Sequence, residues 1–487
     1  MHITPTLEEV KPFAECGKYD VMPLSCALLS DVLTPIQALR ILRSVSDHCY
    51  ILESLSDADS WGRYTFLGYD PKLEITCIDG DMRIGDHHFH TNDPSQALRA
   101  LLRQNRSPRI KTLPPFTGGL VGYFAYEYLY YSEPGVRMQT RDPDQFKDLD
   151  LMLFDTVIVF DHLCQQLILI ANMRLDEELP AAYASASQKL KMMAALLKKE
   201  VPACPPGHMK GAFEALFDGP AYCQMVDQAK DYIREGDLFQ IVLSNRLSVP
   251  YEGSLLNMYR VLRTQNPSPY MFYLSGCDIE VAGASPETLI RLDDGVLRTF
   301  PLAGTRGRGS SEEEDLRLEQ ELLSDEKELA EHDMLIDLGR NDLGKISRFG
   351  SVQAEKLHSI ERFSCVMHIG SAIRGELREG LDALDAVAAI LPAGTLSGAP
   401  KLRAVQRIAQ LEDSRRGIYG GALGYIDFTG NMDMCIAIRL AYRKNGQVFI
   451  RSGAGIVADS QGEREHEECI RKASAVVKAL KQAEEVE

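Results

Sequence analysis

Apolar, strand-like segments follow one another across turn residues in this chain, without the helix that each parallel crossover requires; no other feature narrows its fold as much. Residues 151–159 and 167–171 are two such runs, the first interrupted by Asp155. After residue 212 the pattern predicts a helix over about 220–235, a strand at 240–247 and several strands near 271–304. A long helix is expected over about 325–338, and another closes the chain from about 463. This order predicts an α+β fold of largely antiparallel sheets packed with flanking helices. One composition break, Val201-Pro-Ala-Cys-Pro-Pro-Gly207, follows a helical stretch and suits a linker. The expected division is an N-terminal domain over 1–200, a linker over 201–212 and a catalytic domain over 213–487.

The two parts share an echo. Gly118-Gly-Leu-Val-Gly-Tyr123 matches Gly420-Gly-Ala-Leu-Gly-Tyr425, and Gly68-Tyr-Asp-Pro71 matches Gly283-Ala-Ser-Pro286. Glycine matches arise easily by chance, so duplication and coincidence both stay open at this stage. If duplication holds, Lys72 occupies the place of Glu287, and the first copy lacks that acid.

With 53 basic against 70 acidic residues, the formal charge is −17. Such a surface repels phosphate backbones, so no nucleic-acid partner is expected. No apolar run is long enough to span a bilayer, and the first residues lack the basic start and apolar core of a signal peptide. The 11 cysteines contain no Cys-x-x-Cys pair and read as reduced thiols. No membrane partner and a cytoplasmic location are expected.

The stretch Glu328-Leu-Ala-Glu331-His332 places Glu328 and Glu331 on one helix face, and the terminal helix repeats the spacing with Glu465 and Glu468. Alone, each pair is ordinarily a solvated face. Brought face to face, they form an oxygen-only set suited to Mg²⁺. Leu338-Gly-Arg-Asn-Asp342 reads as the polar end of the first helix. Arg451-Ser-Gly-Ala-Gly455 exposes backbone N–H groups that a carboxylate can approach.

These stretches occur in a fixed order: Pro301-Leu-Ala-Gly-Thr305-Arg306, Glu331-His332, Asp337-Leu-Gly-Arg-Asn341-Asp342, Pro392-Ala-Gly-Thr-Leu-Ser-Gly-Ala-Pro-Lys401, Cys435-Ile-Ala-Ile-Arg439 and Gly453-Ala-Gly455. Together they resemble the chorismate-utilising enzyme family. Ile51-Leu-Glu-Ser54, Trp61-Gly-Arg63 and Gly118–Glu127 extend the resemblance into the N-terminal part, and are most similar to the anthranilate-synthase large-subunit branch.

The resemblance implies a Mg²⁺-dependent lyase acting on chorismate. It implies Glu331 and Glu468 as metal ligands, with Glu328 and Glu465 in support. Gly304, Thr305, Gly453, Ala454 and Gly455 resemble the loops on the ring carboxylate; Tyr419 and Arg439 resemble the pair on the enolpyruvyl carboxylate. Glu287 resembles the acid that protonates the departing C4 hydroxyl, and His368 the residue implicated in pyruvate elimination.

Two substitutions narrow the reaction. Family members that hydroxylate chorismate carry a lysine where this chain has Gln240, and a desolvated lysine can activate water. Glutamine cannot, whereas neutral ammonia needs no base. The aminodeoxychorismate synthases place a nucleophilic lysine where this chain has Ala303. Attack of ammonia at C2 and an ortho product are therefore expected. Aminodeoxychorismate synthesis and a silent tryptophan-binding regulatory subunit remain the alternatives.

Glu53 and Ser54, with Pro269, Tyr270 and Met271, resemble an L-tryptophan feedback site. None of the cysteines stands in a nucleophile-elbow context, and the resemblance implies that ammonia comes from a separate glutamine amidotransferase subunit. Gly307, Gly339 and Gly462 depart from the family pattern without removing a proposed ligand or acid.

Overall fold

The computed structural model describes residues 1–55, 62–362 and 366–486; Trp61 of the Trp61-Gly-Arg63 motif lies outside them. Two large sheets carry the expected α+β fold, with 13 and 12 strands among the described residues. Their ladders are antiparallel, as the closely spaced strand segments require.

The first sheet runs Val21–Leu29, Gln166–Arg174, Thr156–Asp161, Tyr64–Tyr69, Cys49–Glu53, Tyr270–Ser275, Glu280–Ser285, Leu440–Lys444, Gln447–Ile456 and Gln240–Glu252. The order reads alike from both ends: five strands from the first half answer five from the second. At its centre Ile51 faces Tyr273. The second sheet repeats the device around the two echoed segments, Gly119–Phe124 and Ala422–Asp427, which pair with Gly122 opposite Gly424. A Cβ at either glycine would stand 2.1 Å from a carbonyl oxygen of the next strand, that of Asp150 or Asp433. The same close approach thus demands glycine in both copies. Duplication, undecided in the sequence, is carried by the strand order of both sheets.

Residues 201–207 carry neither helix nor strand. Each sheet nevertheless draws strands from both sides of that segment, so the two parts of the chain share two sheets. Asp155 marks a related crossing. Leu149–Phe154 belongs to the second sheet and Thr156–Asp161 to the first, so one apolar run in the sequence serves two layers. An aromatic-rich core that includes Tyr50, Phe66, Phe116, Phe154, Phe272 and Tyr425 fills the space between the sheets. The helices Pro35–Arg43, Leu179–Leu196, Leu256–Gln265 and Gly462–Gln482 cover the outer face of the first sheet. The helices Glu326–Ile346 and Ala383–Ile390 cover the second.

One helix end differs from expectation. The helix expected to end in Leu338-Gly-Arg-Asn-Asp342 continues through that motif to Ile346. Asp342 is buried and accepts a hydrogen bond from Lys401 Nζ at 2.6 Å. Its carboxylate faces the protein interior, which is why a polar residue is tolerated in mid-helix.

Candidate active site

A cavity of about 730 Å³ opens in the second half of the molecule, where both sheets and both glutamate-bearing helices meet. Gln240 and Val242 reach it from one strand, and Ser452, Gly453 and Gly455 from the neighbouring strand. Ala303, Thr305 and His368 come from the paired strands Leu302–Gly307 and Val366–Glu376. Glu287, Tyr419 and Arg439 complete the floor; Glu331, Glu465 and Glu468 face it from the helices.

Burial dominates the electrostatics. It pushes the Glu287 carboxyl up to about 7, against the opposing pull of a Thr395 hydrogen bond and the charges of Arg439 and Lys472. Thr395 Oγ1 donates to Glu287 Oε1 at 3.1 Å. A glutamate in this state keeps a substantial protonated fraction near neutral pH and can deliver a proton. Burial also weighs against the charge on Arg439, while Glu287 favours it. Arg439 is held at φ 51°, a left-handed backbone that a non-glycine side chain rarely adopts.

His368 Nδ1 lies 2.9 Å from the Gly304 carbonyl oxygen, an acceptor only, so Nδ1 carries the proton and Nε2 is the basic nitrogen. Burial lowers its pKa, which keeps the ring neutral.

The carboxylates form a set of hard oxygen donors. Burial, with Glu328 and Glu468 nearby, raises the Glu331 pKa; burial and Glu468 likewise raise that of Glu465. A divalent cation would relieve this crowding, and the donor set fits Mg²⁺. Lys472 Nζ stands 2.9 Å from Glu468 Oε1 and holds that carboxylate below its ordinary pKa against the cost of burial. Lys472 also donates to the Gly453 carbonyl at 3.2 Å.

Three of the residues singled out in the sequence do not face the cavity. Glu328 Oε1 lies 3.5 Å from Arg306 Nη1, so this carboxylate engages a cation already provided. Gly304 acts through its carbonyl on His368. Ala454 is fully buried in the core below the Gly453 and Gly455 backbone. Conversely, Lys327, Thr395, Arg451 and Lys472 line the cavity and were not singled out. Lys472 sits four residues after Glu468, a spacing that could have flagged it. Two of the glycine departures have packing reasons. A Cβ at Gly339 would stand 2.8 Å from Ile373 Cδ1, and one at Gly462 would stand 3.0 Å from Cys223.

The other half of the molecule carries the counterpart of this site with its charges rearranged. Buried positions Ala186, Leu190 and Met193 of one helix answer Cys469, Ala473 and Val476 of the terminal helix, each shifted by 283 positions, which places Lys189 opposite Lys472. Asp155 precedes its strand as Arg439 precedes Leu440–Lys444, and Lys72 follows Pro71 as Glu287 follows Pro286. Lys72 and Lys189 close on Asp155 Oδ2 at 3.2 and 2.7 Å. An ion triad thus occupies the place of the acid.

Ser54, Pro269, Tyr270 and Met271 come together in a second, smaller cavity of about 90 Å³, with Leu52, Arg291 and Asp433. Glu53 also borders it, but its carboxylate is committed: Arg263 Nε and the Tyr259 hydroxyl each donate to Oε1 at 2.6 Å.

Fold and cavity together define an enzyme class. The chain belongs to the chorismate binding enzyme family, whose model matches residues 47–478. It is 41% identical to anthranilate synthase component 1 of Acetivibrio thermocellus, over 99% of this chain and 99% of that protein. It is 43% identical to anthranilate synthase component 1 of Aquifex aeolicus, over 100% of this chain and 99% of the relative. The crystal structure of anthranilate synthase component I from Streptococcus pneumoniae superposes with a TM-score of 0.78 at 35% identity, covering 92% of this chain and 98% of that one. The menaquinone-specific isochorismate synthase of Escherichia coli shares the fold at 19% identity with a TM-score of 0.70, covering 98% and 99% of the two chains.

Proposed function

We propose that this chain adds ammonia to chorismate and eliminates pyruvate, leaving anthranilate. The observation that carries this reading is a buried Glu287, raised to about 7, in a cavity where positions 240 and 303 hold glutamine and alanine. Water therefore finds no lysine base at 240, and the ring finds no lysine nucleophile at 303.

Glu331 and Glu468, supported by Glu465, would hold Mg²⁺, with Glu328 behind them. When bound, Mg²⁺ supplies a Lewis acid for the ring carboxylate. Lys472 is placed to exchange Glu468 for a substrate carboxylate. Gly453, Gly455 and Thr305 keep the ring carboxylate in register through backbone and hydroxyl donors, while Tyr419 and Arg439 take the enolpyruvyl carboxylate. As ammonia bonds to C2, Glu287 gives its proton to the C4 hydroxyl, which leaves as water, and the new ammonium returns a proton to the Glu287 carboxylate. His368 Nε2 then accepts the C2 proton as the C3–O bond breaks, and the departing enolate takes up a proton at its methylene carbon to become pyruvate. Replacing His368 by alanine is expected to slow this second step and let the aminated, non-aromatic intermediate accumulate; chromatography of quenched reactions would reveal it, and unimpaired anthranilate formation would remove His368 from the reaction.

The test is product analysis. With chorismate, Mg²⁺ and an ammonium salt at mildly alkaline pH, mass and fluorescence should identify anthranilate; the para-aminobenzoate precursor would refute the assignment. Free ammonia is scarce at neutral pH because its conjugate acid dominates, as for amines generally. A separate glutamine amidotransferase subunit delivering it fits that chemistry.

The second cavity supports feedback control by L-tryptophan. Pro269, Tyr270 and Met271 present apolar surface to an indole, and Ser54, Arg291 and Asp433 offer polar partners. In the same assay millimolar tryptophan should depress turnover, and unchanged activity would count against the site. Among the described residues no helix is long and apolar enough to cross a membrane. That agrees with the cytoplasmic placement we propose.

A further inference from the structure

On the far side of the first sheet from the terminal helix, three side chains of different chemistry converge. His48 precedes the strand Cys49–Glu53, Glu74 lies in Leu73–Ile78 of the other sheet, and Cys277 sits in the turn after Tyr270–Ser275. One donor atom from each lies within 4.8 Å of the others. Cys277 Sγ is 3.2 Å from His48 Nε2, and His48 Nε2 is 3.8 Å from Glu74 Oε1. A tetrahedral zinc ion bound at about 2.0–2.3 Å would hold such atoms roughly 3.3–3.6 Å apart, so only small side-chain movements separate this arrangement from a ligand set.

Two further observations point to a cation. Glu74 Oε1 is buried and has no hydrogen-bond partner, a state that a buried carboxylate oxygen does not hold without cost. The surrounding charge also favours a dication. Lys147 is shared between Asp150 at 2.8 Å and Asp278 at 2.6 Å, and Lys444 also binds Asp278. Lys147 lies 3.9 Å from Glu74, so three carboxylates face two ammonium groups before Cys277 ionises.

We infer that His48, Glu74 and Cys277 form a binding site for a borderline-soft divalent cation such as Zn²⁺, separate from the hard-oxygen glutamate site in the large cavity. Imidazole, carboxylate and thiolate suit zinc and not magnesium. Because the ligands come from both sheets and both halves, the ion would tie the two sheets together.

Cobalt(II) reports the site directly. Added to the full chain in excess Mg²⁺, Co²⁺ should produce a thiolate-to-cobalt charge-transfer band in the near ultraviolet that saturates at one equivalent and is displaced by Zn²⁺. Cys277→Ser should abolish the band; His48→Ala or Glu74→Gln should weaken Co²⁺ binding at least about tenfold. Cys277 is exposed on a turn, and a metal-free melting curve that matches the parent chain would show that Cys277→Ser is folded. No charge-transfer band, or one that survives Cys277→Ser, overturns the inference.

Discussion

Replacing Glu287 by glutamine is expected to lower kcat for ammonia-dependent anthranilate formation by about 10²–10⁴-fold, the range over which a positioned acid contributes, with a much smaller change in KM. The side chain keeps its shape and its contact with Thr395 but loses the proton that the C4 hydroxyl needs. The pH profile should carry the same signature. Burial raises this carboxyl to about 7, so the group is active when protonated. At a fixed concentration of free ammonia, kcat/KM should be flat below that pH and fall as pH rises through it. The kcat profile should fall at higher pH, because two substrate carboxylates disfavour a third negative charge beside them. Glu287→Gln should show neither limb. A variant with parental kcat would remove Glu287 from the chemistry.

The second large effect concerns the facing helices. Changing Glu331 or Glu468 to glutamine keeps the oxygen but removes the charge that holds a hard cation. Lewis-acid assistance is worth several kcal/mol, so activity at subsaturating Mg²⁺ should fall about 10²–10⁴-fold. Raising Mg²⁺ should recover part of the loss, and isothermal titration should show weaker Mg²⁺ binding. Glu331→Gln also removes a carboxylate whose charge burial, Glu328 and Glu468 disfavour, so that variant should resist heat no worse than the parent without metal, whereas Glu468→Gln gives up the Lys472 ion pair. Glu328→Gln should do less, because Glu328 faces Arg306 and not the cavity. Equal losses at 328 and 331 would contradict this arrangement.

Much of this site was legible because its chemistry follows local spacing. The pairs at 328/331 and 465/468 are helix-face patterns, and the structure turns Glu331, Glu465 and Glu468 into one cavity. Gln240 and Ala303 were informative as absences of lysine, and both line that cavity. What spacing cannot show is the partner across the fold. Glu328 and Glu331 sit one turn apart, yet Arg306, brought in by a strand pairing, captures only the first. Glu53 likewise looked available to a ligand until Arg263 and Tyr259 arrived from a helix more than 200 residues away.

The sheets were harder to read than the elements in them. Antiparallel pairing could be expected from the lack of crossover helices, but the pairing of each half's inner strands with those of the other half is a property of the duplicated whole. The repeated glycines were visible at 122 and 424; the 2.1 Å approaches that explain them appear only when the neighbouring strands are in place. The polar motif at 338–342 misled for the same reason. Its Asp342 belongs inside a helix because Lys401 comes from elsewhere to pair with it.

The neutrality of Glu287 is where fold and chemistry meet, and infrared difference spectroscopy measures it without any substrate. Spectra of the parent chain minus Glu287→Gln at mildly acidic pH should contain the stretching band of one buried, protonated carboxyl, and the band should vanish as pH rises through about 7. A difference spectrum showing that carboxyl already ionised at mildly acidic pH would contradict the account.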